Sequence, residues 1–378
     1  MAISARDGFF VPAKEITAPF NSWVPCSEKE PAYLRRFITF ALFMQPIQEI
    51  YPQLLSIKRV VITMHQKPDA DAMGSALGLA HFLKQLGHSV IVISPTNWAR
   101  WLDWMDGVNE VIDYELNKPE ANKILDEAEW LFCLDHNHFS RTRTMTQKLA
   151  AMQCTKILID HHQEPDVASF NYGISNTAKS STCEMIYDFI TESGHRHKIN
   201  TVIAECLYAG VVADTGSFRF SSTSASVHHM VGALKEQGMQ HIKVHEALYD
   251  NFLENRLRFL GHVLTSRMEV YYELNTALIY ISKQELLKYE IKTGDTEGIV
   301  NYPLSIQGIK LVGCVIDRDE ERKWSFRSKG NFDCNTFARK YFNGGGHYNA
   351  SGGQDKDSLQ ETVSKFKLAI KENSSLLQ

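Results

Sequence analysis

Short apolar runs that are hydrophobic on both faces recur along this chain, each followed by a polar end and then, in most cases, a stretch with helical spacing. Arg59-Val60-Val61-Ile62-Thr63-Met64-His65 is the first, and Ser89–Ser94, Glu110–Asp113, Trp130–Asp135 and Lys156–Asp160 repeat the pattern. A strand apolar on both sides needs cover on both sides. Strands alternating with helices point to a parallel sheet in an α/β fold. Ala72 to Leu86 supplies the first helical pattern and stops at Gly87, a common helix-ending residue. Ser181–Ser193 and Asn200–Val212 read as two more helices. Residues 245–270 carry one long helical pattern through Ala247, Leu248, Phe252, Leu257, Phe259, Leu260, Val263 and Leu264. Beyond it, Thr276–Ile281, Ile309–Asp317 and Trp324–Ser328 read as strands, with helices around Asn335–Tyr341 and 358–371.

A length of 378 residues suits two domains. The expected division is a parallel-sheet α/β domain over 44–244, a linker helix over 245–271 and a smaller α/β domain over 272–378. Residues 1–43 mix Pro, Lys and aromatic residues without a sustained period. They read as an N-terminal extension: either weakly ordered and foreign to the native protein, which would then start at Met44, or a short helical arm packed on the domain.

Charge and cysteine usage narrow the function classes. With 40 Lys+Arg against 44 Asp+Glu, the net charge of −4 argues against a surface basic all round for long duplex DNA. An anionic ligand would need a local positive patch. No apolar run reaches the roughly 18 residues of a membrane span. The nearest, Phe37–Met44 after Arg35 and Arg36, has no small-residue cleavage site behind it, so no signal peptide is expected. Seven scattered cysteines without a C-x-x-C pair point to reduced thiols and a cytoplasmic location.

Four acidic or histidine clusters follow apolar elements. They are His65-x₃-Asp69-x-Asp71, Asp135, Asp160-His161-His162, and Asp214-Thr215-Gly216. In an open parallel sheet, ligands collect outside the carboxyl ends of the strands, where the first three fall. Converging carboxylates repel one another unless a cation sits among them. Carboxylates with imidazoles suit Mn²⁺, Zn²⁺ or Fe²⁺, and several bridging-capable Asp residues point to a two-metal site. Each piece has a plainer reading. Asp71 could cap the helix at 72, His161 and His162 could be surface or core histidines, and Asp135 could be an acidic strand end. Four such accidents at successive element ends are improbable together.

A fifth feature lies far along the chain: Asn343-Gly344-Gly345-Gly346-His347, continuing to Gly352-Gly353. Glycines let a backbone approach an anion closely, and His347 could donate to a phosphoryl oxygen. The plainer reading is a glycine turn before the last helix. Residues 301–350 hold eight Lys or Arg against five Asp or Glu, so the local patch exists. Arg327 alternates with Trp324 and Phe326, points opposite to them, and could clamp a phosphate. An exposed basic edge strand is the bland alternative.

As an ordered set these residues resemble the DHH/DHHA1 phosphoesterase family, over about residues 45–375. Pro68-Asp69-Ala70-Asp71-Ala72-Met73-Gly74-Ser75 is most similar to its nanoRNase/pAp-phosphatase branch, which is related to RecJ-type exonucleases. The resemblance implies a DHH domain and a DHHA1 domain hinged on the long helix. It implies two Mn²⁺ per chain, with Mg²⁺, Co²⁺ or Fe²⁺ as substitutes. His65, Asp69 and Asp135 would hold one ion, and Asp71, Asp135, His161 and Asp214 the other. Asp160 would orient the histidines, and His162 would meet the phosphate or a metal-bound water. Arg327, Gly345, Gly346 and His347 would bind substrate phosphate across the cleft.

The implied activity is hydrolysis of short single-stranded RNA to mononucleotides, and of 3′-phosphoadenosine 5′-phosphate to AMP, by a metal-activated water. Linear or cyclic dinucleotides and polyphosphate are alternative substrates. A nucleotide-binding regulator without activity is the contrasting class, although it would be expected to have lost a metal ligand and all are present. The resemblance also admits a homodimer. Two departures stand out. His136-Asn137-His138 follows Asp135 where small residues are usual, and could add a ligand or sit at the cleft rim. Asn343 replaces a frequent glycine.

Overall fold

The computed structural model describes residues 44–318 and 321–378. The expectations for residues 1–43 lie outside it. The first sheet has seven strands: β1 (Gln45–Pro46), β2 (Arg59–Thr63), β3 (Ser89–Ser94), β4 (Ile112–Asp113), β5 (Trp130–Leu134), β6 (Thr155–Asp160) and β7 (Tyr172–Ser175). All pair in parallel, in the order β1-β7-β6-β5-β2-β3-β4. Along with them run α1 (Ala70–Gln85), α2 (Lys118–Glu127), α3 (Thr146–Ala151), α4 (Thr182–Glu192), α5 (Thr201–Asp214) and α6 (Ala225–Glu236). Val60, Ile62, Phe132 and Ile159 pack with α1, α4 and α5. Val61, Leu131, Cys133 and Leu158 pack with α2 and α3 on the other face. Both faces are therefore covered, as the unbroken apolar runs require. From β2 the chain moves outward through β3 and β4, then returns to β5 on the other side of β2. The crevice between the ends of β2 and β5 is thus the switch point where ligands of such sheets bind.

The long helix expected over 245–271 is instead two, α7 (His241–Tyr249) and α8 (Glu254–Ser266). Asp250 and Asn251, poor helix formers, fall at the break. There the guanidinium of Arg256 sits 3.3 Å over the Phe252 ring. Nor does α8 stand free, since Phe259 and Val263 are fully buried against Ile279, Val312 and Cys314 of the second sheet.

That sheet is mixed. It comprises β8 (Met268–Tyr271), β9 (Thr276–Ile281), β10 (Leu311–Asp317), β11 (Arg322–Ser328), β12 (Gly345–Gly346) and β13 (Ala350–Asp355), ordered β12-β13-β11-β10-β9-β8. α9 (Lys283–Lys288), α10 (Cys334–Phe342), α11 (Leu359–Glu372) and α12 (Ser374–Leu377) accompany it. Trp324 and Phe326 stack with Phe366 of α11 and touch Phe342 of α10 on one face. The glycine-rich stretch is a hairpin of two short antiparallel strands, β12 and β13, closed by a tight turn over His347–Ala350. A Cβ at Gly353 would meet the Phe342 carbonyl at 2.8 Å, so only glycine lets β13 pass that close to α10. Among the described residues, no helix is long and apolar enough to cross a membrane.

Candidate metal centre and cleft

The site assembles at the switch point. His65 follows β2, Asp135 follows β5, Asp160 ends β6 with His161 and His162 behind it, and Asp214 ends α5. Asp69, not Asp71, caps α1. Its Oδ1 accepts the amides of Asp71 and Ala72 at 3.0 Å. That leaves Oδ2 facing His65 Nε2, 3.8 Å away. Asp71 sits in the first turn, fully buried, and accepts the amides of Thr182 (2.6 Å) and Cys183 (2.9 Å) at the N-terminus of α4.

Asp135 occupies the centre. Its φ of 58° is unusual for a non-glycine residue, and such strain gathers at functional sites. One oxygen lies 3.2 Å from His65 Nε2 and the other 3.3 Å from His161 Nε2. The His161 nitrogen also faces Asp214 (3.4 Å) and Asp71 (3.8 Å). The Nδ1 of His65 lies 2.8 Å from the Gln66 carbonyl, which suits Nε2 for a ligand. Behind the centre, Asp160 holds His162 by its ring (2.7 Å) and its amide (3.0 Å). Two residues not singled out in the sequence also act here. Thr182 donates its hydroxyl to Asp135 at 3.0 Å, and Arg141 donates to the Asp135 carbonyl at 3.3 Å. The Ser181-x-x-Glu184 helix start was the available signal for the former.

His347 arrives from the second sheet. Its ring stacks on His162 at 4.5 Å and lies 4.6 Å from His161. Arg327 is tied to it through β13: Arg327 pairs with Ala350, whose carbonyl accepts the His347 amide at 2.8 Å. Gly345 and Gly346 form β12, but the amide of Gly346 donates to Asn335 Oδ1 at 2.9 Å. That N–H is engaged within the protein and is not open to a phosphate. Asn335 reaches the first domain too, donating to Gln163 at 2.9 Å, while Arg339 pairs with Glu164 at 2.6 Å. His136 is fully buried, packed near Phe139, and neither of its ring nitrogens has a hydrogen-bond partner. The His138 ring accepts the Ser140 amide at 3.0 Å, a local cap.

The electrostatics are those of carboxylates crowded for a cation. Burial, then the Asp135 charge, raises Asp71 to about 7. Burial, then Asp71 and Asp69, raises Asp214 well above the usual carboxylate range. Burial opposes ionisation of Asp135, yet the imidazoles of His161 and His65 hold it well below that range. Burial would lower His161 as well, but the carboxylates around it, Asp135 first, lift it to about 10. His347 is lowered to about 2 by burial and then by its two histidine neighbours. His161 Nε2 is buried without a hydrogen-bond partner and faces three carboxylates. His65, Asp69 and Asp135 form one group able to hold an ion, and Asp71, Asp135 and His161 another. This donor set fits divalent cations.

Residues 59–211 match the N-terminal domain of the DHH family, and residues 275–372 match the DHHA1 domain. A solved exopolyphosphatase-related protein from Bacteroides fragilis is 36% identical, with a TM-score of 0.83, over 88% of this chain and 97% of that one. The chain belongs to the DHH family. DHH proteins similar to it include the bifunctional oligoribonuclease and PAP phosphatase NrnA of Bacillus subtilis, 29% identical over 78% of this chain and 88% of that protein. RecJ of Thermus thermophilus, solved with Mn²⁺, shares the fold at 12% identity and a TM-score of 0.50, over 87% of this chain and 54% of that one. As a DHH phosphoesterase, the protein is a hydrolase.

Proposed function

We propose that the protein hydrolyses short oligoribonucleotides to mononucleotides, and 3′-phosphoadenosine 5′-phosphate to AMP, with two Mn²⁺ ions. Asp135 carries the reading, because its two oxygens approach different imidazoles, 3.2 Å and 3.3 Å away, as a bridging ligand would. His65, Asp69 and Asp135 would hold one ion, and Asp71, Asp135, His161 and Asp214 the other. When bound, such ions acidify water and offset phosphoryl charge.

The chain's own side chains do the rest. Asp160 fixes the His162 ring, leaving its second nitrogen for a phosphoryl oxygen or the attacking water. His347, backed by Gly345, closes over it from the other domain. Arg327, one of whose terminal nitrogens donates to the Phe326 carbonyl at 2.9 Å, would offer its remaining guanidinium N–H groups to phosphate. A site roofed by a second domain excludes bulk water and favours short substrates. The RNA and nucleotide choice rests on the name of the B. subtilis relative. Polyphosphate is the second reading, favoured by the likeness to the exopolyphosphatase-related protein of B. fragilis. A cytoplasmic location fits the described cysteines, all of them free.

The test is hydrolysis with Mn²⁺ of a two-to-five-nucleotide RNA ladder, 3′-phosphoadenosine 5′-phosphate, a cyclic dinucleotide and polyphosphate, resolved by chromatography. Mononucleotides from RNA, lost in Asp135→Ala, are expected. Turnover of polyphosphate alone would replace the substrate. Bound metal without any turnover would favour a regulator.

A further inference from the structure

Helix α4 begins with a carboxylate that does more than a helix start requires. At the start of α11, the exposed Glu361 accepts the amide and hydroxyl of the N-cap Ser358 and nothing farther afield. Glu184 holds the matching place behind Ser181 in α4, yet it is 2% exposed and reaches past the cap. One of its oxygens accepts the Ser180 amide (2.8 Å) and hydroxyl (2.9 Å). The other accepts the Lys179 ammonium (2.9 Å) and the Ser226 hydroxyl (2.6 Å). Asp188, one turn along α4, grips the same ammonium at 2.6 Å. A buried carboxylate is costly unless its lone pairs are taken. Burial opposes ionisation of Glu184, yet these donors, Ser226 first, hold it below its ordinary value.

The segment fixed in this way meets three of the four residues proposed to hold one of the two ions. The Lys179 carbonyl lies 3.4 Å from His161 Nδ1. A carbonyl only accepts, so in the neutral ring the proton sits on Nδ1 and the Nε2 lone pair faces the carboxylates. The amides of Thr182 and Cys183 hold Asp71. The Thr182 hydroxyl holds Asp135 by Oδ1, the same oxygen that faces His161. Ser226 lies in the first turn of α6, at the far end of the loop that leaves the fourth residue, Asp214. Ser217 and Phe218, at φ of 57° and 65°, strain that loop, and such strain persists only where the surroundings hold it. The other proposed ion position is supported differently. His65 leans on the Gln66 carbonyl, and Asp69 on the amides of Asp71 and Ala72.

We propose that Glu184 is a positioning residue for one ion position alone, holding Asp71, Asp135 Oδ1, His161 and Asp214 in place while the His65–Asp69 side stands without it. The assignment rests on the proposed two-ion site. It separates the two positions by the elements that support them: the β2–α1 connection for one, and the start of α4 with its tie to α6 for the other. Loosening Glu184 therefore weakens one ion and spares its neighbour.

The test titrates the metal-free protein with Mn²⁺ by calorimetry. Glu184→Gln keeps the side chain's size but turns one acceptor oxygen into a donor nitrogen facing other donors. The parent is expected to show two sites. In Glu184→Gln one should keep its affinity and the other weaken about 10–100-fold. Ser226→Ala, at an exposed position, removes a single donor and should weaken the same one site by a smaller factor, with the metal-free melting temperature nearly unchanged. Raising Mn²⁺ should restore hydrolysis in both variants. Should Glu184→Gln not fold, Ser226→Ala decides by the same readout. Two sites of parental affinity, or both weakened alike, would overturn the positioning role and leave the two-ion function standing. A lower melting temperature with both affinities intact would mark a structural role only, and overturns it equally. A parent that binds fewer than two ions would overturn the two-ion reading and this assignment together.

Discussion

At the residue scale, Asp135 and Asp160 answer to different tests. Asp135→Asn removes one ionic oxygen from the residue that faces both His65 and His161. Metal content should fall on both sides of the site, and hydrolysis by at least about a thousandfold; elemental analysis and steady-state rates check this. Asp160→Asn leaves the ligands in place but loosens the His162 ring, so the loss should be smaller, roughly 10–100-fold. The acid–base behaviour follows from the raised carboxyls. Asp71 moves from 3.8 to about 7 on folding. In that window the unfolded chain releases this proton first, so the metal-free protein loses stability as pH rises from about 4 toward 7. His161, lifted to about 10, adds stability that is complete below its unfolded value of 6.5 and disappears as pH rises through 10. Cation binding needs Asp71 and Asp214 ionised and His161 neutral. Mn²⁺ should therefore bind more tightly at pH 8 than at pH 6, with net proton release seen by calorimetry in buffers of different ionisation heat. Equal affinity at the two pH values would contradict this account of the carboxylates.

At the element scale, the decisive contact is α1 against α5. A Cβ on Gly74 would run into the Cys206 carbonyl, and one on Gly210 would meet the Cys183 sulfur and, at 2.6 Å, Asp71 Oδ1. The two helices therefore cross at backbone distance, and that closeness seats Asp71 beside the end of α5, where Asp214 lies. Gly210→Ala should cost about 1–3 kcal/mol by overpacking. Because the displaced atom belongs to a proposed metal ligand, any added stability that Mn²⁺ confers should shrink as well. Denaturant melts with and without Mn²⁺ measure both effects.

At the scale of the whole molecule, the two domains meet through a clasp next to the histidine pair. Gln163 and Glu164 follow His162 directly, and they bond Asn335 (2.9 Å) and Arg339 (2.6 Å) of α10. Asn335 also holds the Gly346 amide, so the clasp and the strand leading to His347 share one residue. Arg339→Glu should lower kcat by withdrawing His347, and Glu164→Arg in the same chain should restore part of it. The pair is exposed, so either change should alter stability by less than about 1 kcal/mol. A double variant no faster than Arg339→Glu would argue against the clasp.

What the sequence alone determined was local. Apolar runs on both faces specified covered parallel strands, and β3 and β9 have the very limits read from the pattern. The proposed ligands after β2, β5 and β6 lie together because a parallel sheet delivers the carboxyl ends of its strands to one edge, whereas Asp214 comes from the end of α5. The sequence did not reveal β1, β7, β8, β12 or β13: β8 falls largely within the helical pattern over 245–270, and the others are too short or too glycine-rich to show a strand period. Gly353 has no strand propensity and sits in one because α10 leaves no room for a side chain. The helix break at 250–253, the commitment of the Gly346 amide to Asn335 and the stacking of His347 on His162 depend on residues far apart in the chain. Local spacing sets which residues can act, and packing between distant segments sets which atoms remain free to do so.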